Sequence, residues 1–149
     1  MKMSLIDYTM SFEKTDFPKE TFNTGGTKEE VVDYLVSKGL HVYATGSRAT
    51  THFNEDSDYD YVVFDEDYKL RDTFDKDFWT MGDSGNQFAD FYSLKKSLDG
   101  KLVNVIFVDT KEVFQKYVMA TNLIRKVDPE TKKERIELFD LIFKEATPF

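Results

Sequence analysis

The sequence predicts an α+β domain, in which a mixed β-sheet of four to five strands is packed with helices mainly on one face. Short segments rich in aromatic and β-branched residues alternate with Gly- and Asp-containing turns, a pattern typical of strands. After Thr110 the spacing of apolar residues changes to the three- and four-residue period of helices. The 149 residues, 40% of them hydrophobic, are enough for one domain with its own core.

The amino-terminal third gives weak signals at first and clear ones after residue 26. Residues 1–26 show little periodicity and end in a turn-like Asn-Thr-Gly-Gly stretch, so we interpret them as an arm or an edge strand. Thr27 and Glu30 form a capping box, and apolar residues follow at helical spacing. With Gly39 as a stop signal, this pattern predicts a helix over residues 28–38.

Four segments in the middle of the chain are expected to form strands. Each is short and rich in strand-forming residues: His41–Ala44, Tyr59–Phe64, Phe88–Lys95 and Leu102–Val108. The last two are separated by a stretch that contains Asp99-Gly100, which is a strong hairpin signal. We therefore expect these two strands to pair with each other.

Two helices are predicted to complete the chain. Thr110 is placed to cap a helix that runs to about Arg125, with Val113 and Tyr117 among its buried residues. Asp128-Pro129 predicts the start of the last helix, with Asp as the cap and Pro in the first turn. Its apolar stripe is expected to be plain core and consists of Ile136, Phe139, Ile142 and Phe143.

Composition excludes several classes of protein. There is no cysteine, which excludes a disulfide scaffold, a thiolate metal site and a cysteine nucleophile. No apolar run approaches the roughly 20 residues of a membrane span, and no charged-then-apolar leader opens the chain. We therefore expect a soluble cytoplasmic protein without a membrane partner.

The net charge of −8 is concentrated in the middle of the sequence. Residues 51–100 contain 13 acidic and 5 basic residues, a difference of 8 that equals the whole excess. Such a surface repels phosphate backbones, so we do not expect extended duplex nucleic acid as a partner. Concentrated acid either holds divalent cations or forms a solvated face. Basic residues of the last third, among them Lys132 and Arg135, are interpreted as an ordinary salt-bridged helix surface.

The most informative stretch runs from Tyr43 to Phe64. Gly46-Ser47 follows the first predicted strand, and after ten residues Asp58-Tyr59-Asp60 enters the second. Carboxylates two residues apart in a strand share a face, and hard cations such as Mg²⁺ prefer such oxygen ligands. Gly46 permits a sharp turn, the amide and hydroxyl of Ser47 are suited to phosphate, and Arg48 would add a charged fork. The pattern predicts a Mg²⁺–nucleotide site.

These motifs resemble the signature of the DNA polymerase beta-like nucleotidyltransferase superfamily, in which Gly-Ser precedes an Asp-hydrophobic-Asp strand. The chain is similar in length and in sequence motifs, over roughly residues 28–145, to the small, single-domain nucleotidyltransferase-like proteins found in phage genomes. The resemblance implies that Gly46 and Ser47 hold the triphosphate of a nucleoside triphosphate. It also implies that Asp58 and Asp60 bind two Mg²⁺ ions, or Mn²⁺, during transfer of a nucleoside monophosphate to an acceptor with release of pyrophosphate.

The sequence departs from the superfamily pattern at Asn104. A third carboxylate is normal on a later strand, and an amide in its place coordinates metal weakly and does not take a proton from an acceptor. An even hairpin loop would place Asn104 on the same face as Lys95 and would turn Asp90 and Asp109 to the opposite face. No substitute is therefore evident on the hairpin. Candidates elsewhere are Glu55, Asp56 and the acids of residues 65–77.

Two functions remain open at this point. The first is an active nucleotidyltransferase that modifies a small molecule, a protein or an RNA end. The second is a catalytically weak or inactive member of the same fold that binds a nucleotide or a host protein. Asn104 favours the second, whereas Gly46-Ser47 and the Asp58/Asp60 pair favour the first. So small a domain would need an acceptor-binding wall from elsewhere, such as a homodimer mate or a partner.

A calcium site is a weaker interpretation of the same acids. Asp56, Asp58 and Asp60 imitate the opening of a calcium-binding loop. Tyr61 and Asp67, however, stand where that loop requires Gly and Glu. The segment after Asp60 is also strand-like, so we do not favour this interpretation.

Overall fold

The computed structural model describes residues 26–86 and 88–145. Their helices are α1 (Lys28–Ser37), α2 (Lys111–Val127) and α3 (Lys132–Glu145). Their strands are β1 (Val42–Thr45), β2 (Tyr59–Phe64), β3 (Thr80–Met81), β4 (Tyr92–Leu98) and β5 (Lys101–Val108). Three short 3₁₀ segments cover Ser47–Ala49, Glu66–Tyr68 and Arg71–Thr73. The predicted arm or edge strand lies outside the described residues, apart from Gly26.

The strands form one mixed sheet in the order β1-β2-β5-β4-β3. β2 and β5 are parallel, and the other neighbouring pairs are antiparallel. The parallel pair occupies the centre of the sheet, and these two strands supply many of the buried residues. The α+β class and the mixed five-stranded sheet are confirmed.

Apolar side chains fill both faces of the sheet. On one face, side chains of β2 and β5 pack against α2 and α3 in a cluster that includes Val62, Ile106, Phe114, Ile124 and Phe139. On the other face, α1 and the segment after β2 cover a second cluster, which includes Leu35, Val63, Leu70, Phe74, Trp79 and Phe107. The two longer helices therefore share one face, while α1 lies on the opposite one.

The β4–β5 hairpin has the two-residue loop that the sequence predicts. Asp99 and Gly100 both have positive φ, 53° and 72°, as a tight hairpin turn requires. Lys95 pairs with Asn104, so the two side chains share a face. β4 begins later than predicted, because the side chain of Asn86 accepts the amides of Phe88 (2.8 Å) and Ala89 (3.2 Å) and holds that segment in a turn.

The first two predicted helix starts are confirmed. The hydroxyl of Thr27 accepts the amide of Glu30 at 3.3 Å, and α1 begins at the next residue. The hydroxyl of Thr110 accepts the amide of Val113 at 3.3 Å in the same way. Each cap satisfies an amide that the first helical turn leaves without a partner.

The predicted start of the last helix is wrong. Asp128 adopts a left-handed conformation (φ 56°, ψ 56°) and ends α2, and its amide donates to Ile124 O at 2.8 Å. The Asp128 carboxylate accepts the amide of Thr51 at 2.7 Å. α3 is capped instead by Thr131, whose hydroxyl accepts the amide of Glu134 at 3.1 Å and donates to its carboxylate at 2.9 Å. This capping box begins the helix three residues later than Asp128-Pro129 predicts.

Asp65 holds the chain where it leaves β2. Its side chain accepts the amides of Leu70 (3.0 Å) and Arg71 (2.9 Å), and the residue is 1% exposed. Burial raises the pKa of the Asp65 carboxyl to about 6, against the opposing effect of these two hydrogen bonds. The folded state therefore binds more protons at this residue than the unfolded chain does, between about pH 4 and pH 6.

We expect Asp65→Asn to change how stability depends on pH. Because the pKa is raised on folding, the contribution of Asp65 to stability is greatest below its unfolded pKa and is lost as the pH rises through 6. Between pH 4 and pH 7, wild type should lose about 2 kcal/mol of unfolding free energy relative to the variant. Urea titrations at several pH values measure this difference, with Asp77→Asn at an exposed site as the control. A difference that does not vary with pH would contradict the assignment.

Candidate functional site

Gly46 makes the turn at the end of β1. It has φ +78° and ψ −162°, a conformation that side-chain-bearing residues rarely adopt. A Cβ on Gly46 would lie 2.1 Å from Oδ2 of Asp60, so the turn packs directly against that carboxylate. The short 3₁₀ segment that begins at Ser47 follows at once. Gly46 is therefore required both by the backbone and by the approach of Asp60.

A polar row crosses the sheet beside this turn. The register aligns Thr45 with Asp60, Asp60 with Asn104, and Asn104 with Lys95. Side chains of residues in register share a face, so a hydroxyl, a carboxylate, an amide and an ammonium group lie next to one another. The hydroxyl of Thr45 lies 2.7 Å from that of Thr121 on α2, which places the row on the face that α2 and α3 cover.

The row forms part of the wall of a cavity of about 440 Å³. Five residues that the sequence predicts for the site line it: Gly46, Ser47, Asp58, Asp60 and Asn104. The other polar lining groups are Thr45, Asp83, Asn86, Lys95, Lys132 and Arg135. An apolar part is formed by Phe88, Phe91, Ile106, Ile136 and Phe139, with Tyr117 beside them. Residues distant in sequence thus meet at one concave site.

Arg48, the sixth predicted residue, does not line this cavity. Its guanidinium lies over the ring of Tyr59, 3.8 Å from the centroid. Its Nε donates to the carbonyl of Ser57 at 3.0 Å, and its Nη2 donates to that of Glu55 at 3.1 Å. The side chain therefore fastens the loop before β2, where cation–π contact and carbonyl acceptors are both available.

Asn104 and Asp60 are joined by a hydrogen bond between the parallel strands. Nδ2 of Asn104 donates to Oδ1 of Asp60 at 3.2 Å. Oδ1 of Asn104 is buried and has no hydrogen-bond partner within residues 26–86 and 88–145. A buried acceptor without a partner is unfavourable by about 1–3 kcal/mol. The unpaired amide oxygen, next to a carboxylate, is suited to a donor or a cation from a ligand.

Burial, a hydrogen bond and neighbouring charges act on the pKa of the Asp60 carboxyl in opposite directions. Burial raises the pKa of its carboxyl, the hydrogen bond from Asn104 opposes this shift, and the charge of Asp58 adds to it. Arg135 and Lys95 act to lower the pKa. Because burial is the largest effect, a cation bound at Asp60 would replace the hydration that the charged carboxylate lacks.

The cations contributed by α3 are the main part of the site that the sequence analysis missed. Lys132 and Arg135 were expected on an ordinary salt-bridged surface, but both line the cavity. Neither makes an ion pair with a residue in the described ranges. The spacing of Lys132 and Arg135 to Ile136 and Phe139 places all four residues on one helix face, and this spacing is the sequence feature from which their position could have been predicted. Lys95 was identifiable from the hairpin register, because it pairs with Asn104.

The donor set available for a metal ion consists of Asp58, Asp60 and the oxygen of Asn104. Within the described parts of the chain, no group of three or more His, Cys, Asp or Glu residues is arranged to hold a metal. Asp83 is an exposed acid that lines the cavity, whereas Glu55, Asp56 and the acids of residues 65–77 do not. Oxygen ligands of this kind fit Mg²⁺ or Mn²⁺, with fewer carboxylates than the superfamily pattern implies.

Comparison of the chain with protein-family models, curated proteins and solved structures found no match. Among the helices that the structure describes, none has both the length and the apolar character of a membrane span.

We expect Gly46→Ala to destabilise the protein more than Gly100→Ala. Both glycines have positive φ, but a Cβ at Gly46 meets Oδ2 of Asp60 at 2.1 Å, while nothing lies within 4 Å of one at Gly100. The strained backbone accounts for about 1 kcal/mol in each variant, and the collision adds about 1–3 kcal/mol at Gly46 alone. Chemical denaturation measures both values.

A double-mutant cycle with Asp60→Ala tests the cause of this difference. Removing the Asp60 carboxylate should reduce the cost of Gly46→Ala, because the contact at 2.1 Å is lost and only the Cβ of residue 60, at 3.1 Å, remains close. An unchanged cost in the Asp60→Ala background would show that the carboxylate and the turn are not in contact.

Proposed function

We propose that the cavity binds a nucleoside triphosphate with Mg²⁺, and that the protein is of nucleotidyltransferase type and transfers the nucleoside monophosphate to an acceptor. The observation that carries this proposal is the convergence of the Gly46–Ser47 turn, the Asp58/Asp60 pair and Asn104 on one cavity. The turn and the acid pair are separated by ten residues in sequence and adjoin in space. A nucleoside triphosphate supply makes the cytoplasm the expected location.

The dimensions and charges of the cavity support a nucleotide as ligand. Its volume of about 440 Å³ lies within the range of small-molecule sites, roughly 300–1,000 Å³. Asp58 and Asp60 project from the start of β2, whereas the basic groups come from β4 and α3. The acids are suited to cations, and the three bases, of which Lys95 lies in the same polar row as Asp60, are suited to phosphates.

The residues of the chain divide the work of the proposed reaction. When bound, Mg²⁺ supplies stabilisation of the charge on the attacking and leaving oxygens. The carboxylates of Asp58 and Asp60 and the amide oxygen of Asn104 would hold it. The cavity is also lined by three cations, which would stabilise the negative charge of the leaving pyrophosphate: Lys95, Lys132 and Arg135. The Asn104 amide, by donating to Asp60, fixes the orientation of that carboxylate.

A nucleotide- or protein-binding role without turnover is the second candidate. It is favoured by the amide at position 104, which donates a hydrogen bond to Asp60 where a third carboxylate would accept a proton. No acid on the β4–β5 hairpin lies in register beside Asp60. The two candidates share the binding site and differ in whether an acceptor is activated.

Asp58→Ala with Asp60→Ala should abolish Mg²⁺-dependent binding of nucleoside triphosphate. The double variant removes both carboxylates that line the cavity from β2 and leaves the amide of Asn104. Calorimetric titration with ATP and Mg²⁺ measures the loss. Asp56→Ala is the matched control, because Asp56 lies in the same acidic stretch but does not line the cavity. Equal binding by the double variant and wild type would refute the site assignment.

Asn104→Asp separates the two candidates. A carboxylate at position 104 would add an anionic ligand and a proton acceptor beside Asp60. The measurement is transfer of label from each α-labelled nucleoside triphosphate to components of a cell extract, with Mg²⁺ or Mn²⁺. For a weakened enzyme we expect wild type to transfer slowly and Asn104→Asp at least about tenfold faster. No transfer by either protein would leave the binding role as the better description.

A further inference from the structure

One face of α3 combines two cations with two apolar residues at the cavity. The helix face consists of Lys132 and the residues three, four and seven positions after it, and all of these line the cavity: Arg135, Ile136 and Phe139. The cations belong to the first turn, and the apolar residues follow. The first turn is also the positive end of the helix dipole, which adds to the potential of the two side chains. Lys95 contributes a third cation from β4.

Arg135 differs from the other arginines of the described residues. Arg48, Arg71 and Arg125 each donate at least one hydrogen bond to a protein oxygen. Within the ranges 26–86 and 88–145, Arg135 donates none and makes no ion pair, although it is partly buried. Because Arg135 is only partly buried, solvent in the cavity reaches its guanidinium, and the N–H donors are available to an anionic ligand.

Asp60 lines the same cavity as Arg135 and has contacts of its own within the sheet. Oδ1 accepts from Asn104 at 3.2 Å, and Oδ2 lies against the turn at Gly46. No ion pair forms between Asp60 and Arg135, although the charge of Asp60 acts on the guanidinium through the cavity. The Arg135 side chain therefore lines the cavity without an ion pair or hydrogen bond to the described residues.

We propose that Arg135, with Lys132 and Lys95, is a receptor for a polyphosphate chain and binds it without a divalent cation. The choice of a nucleotide's phosphates as ligand rests on the proposed function. A guanidinium binds phosphate oxygens in pairs, and the two ammonium groups act as point charges beside it. A chain of several phosphates reaches more of these three cations than a single phosphate does. Phosphate binding at these cations would then not depend on metal bound at Asp58 and Asp60.

The test is calorimetry in the presence of a chelator. Inorganic tripolyphosphate and ATP should both bind wild type, and AMP should bind at least about tenfold more weakly. Arg135→Gln should weaken tripolyphosphate binding at least about tenfold, since a charge-assisted pair is lost. Lys133→Gln, on the same turn of α3 but outside the cavity lining, is the matched control and should bind as wild type does.

Arg135→Lys provides a second variant that keeps the charge. It should bind tripolyphosphate more tightly than Arg135→Gln and less tightly than wild type, because the planar fork is lost. Circular dichroism and thermal unfolding check that each variant is folded. Equal affinities of wild type and both Arg135 variants would overturn the proposal, as would equal losses in Arg135→Gln and Lys133→Gln.

The outcomes also distinguish this proposal from the proposed function. If ATP binds only with Mg²⁺ and the Arg135 variants bind as wild type does, the receptor is refuted while the metal-dependent function stands. If tripolyphosphate binds through Arg135 but the Asp58 and Asp60 variants do not alter binding of ATP with Mg²⁺, the receptor stands and the proposed function fails.

Discussion

The confinement of one carboxylate, that of Asp60, is the constraint on which the site depends. Asp60 lies near the amino-terminal end of β2, which is flanked by β1 and β5. Its two oxygens meet the Asn104 amide on one side and the Gly46 backbone on the other. A buried charge is unfavourable unless it has partners, so a ligand that binds the remaining lone pairs of the carboxylate would stabilise it. The turn, the polar row and the cavity all follow from placing that carboxylate there.

The two apolar clusters on the faces of the sheet stabilise the fold in which this carboxylate is buried. Beyond the polar row, the same two strands carry side chains such as Val62 and Ile106 into the cluster beneath α2 and α3. The polar row therefore lies at the end of a continuous hydrophobic surface, and the cavity has a polar and an apolar part. α3 spans both parts, since its cavity-lining side chains are basic in the first turn and apolar at Ile136 and Phe139. A ligand with an anionic and a nonpolar portion matches this division.

Local signals predicted much of this arrangement, and nonlocal packing determined the rest. The strand over Tyr59–Phe64, the Asp99-Gly100 hairpin and the pairing of Asn104 with Lys95 follow from side-chain period and turn chemistry. The path of α3 across the sheet does not, so Lys132 and Arg135 read as surface residues in the sequence. The position of Arg48 outside the cavity lining has a similar cause, because the loop carbonyls that bind it become available only when residues 54–57 fold back.

The left-handed end of α2 has a mechanical consequence. Asp128 closes that helix and also accepts the amide of Thr51, two residues beyond the 3₁₀ segment that Ser47 begins. Three residues separate Asp128 from Lys132, a connection of about 13–14 Å when extended. Asp128 thus connects the cation-bearing start of α3 to the loop that follows the turn at Gly46. The short connection therefore limits how far the first turn of α3, with Lys132 and Arg135, moves from the segment that follows Gly46.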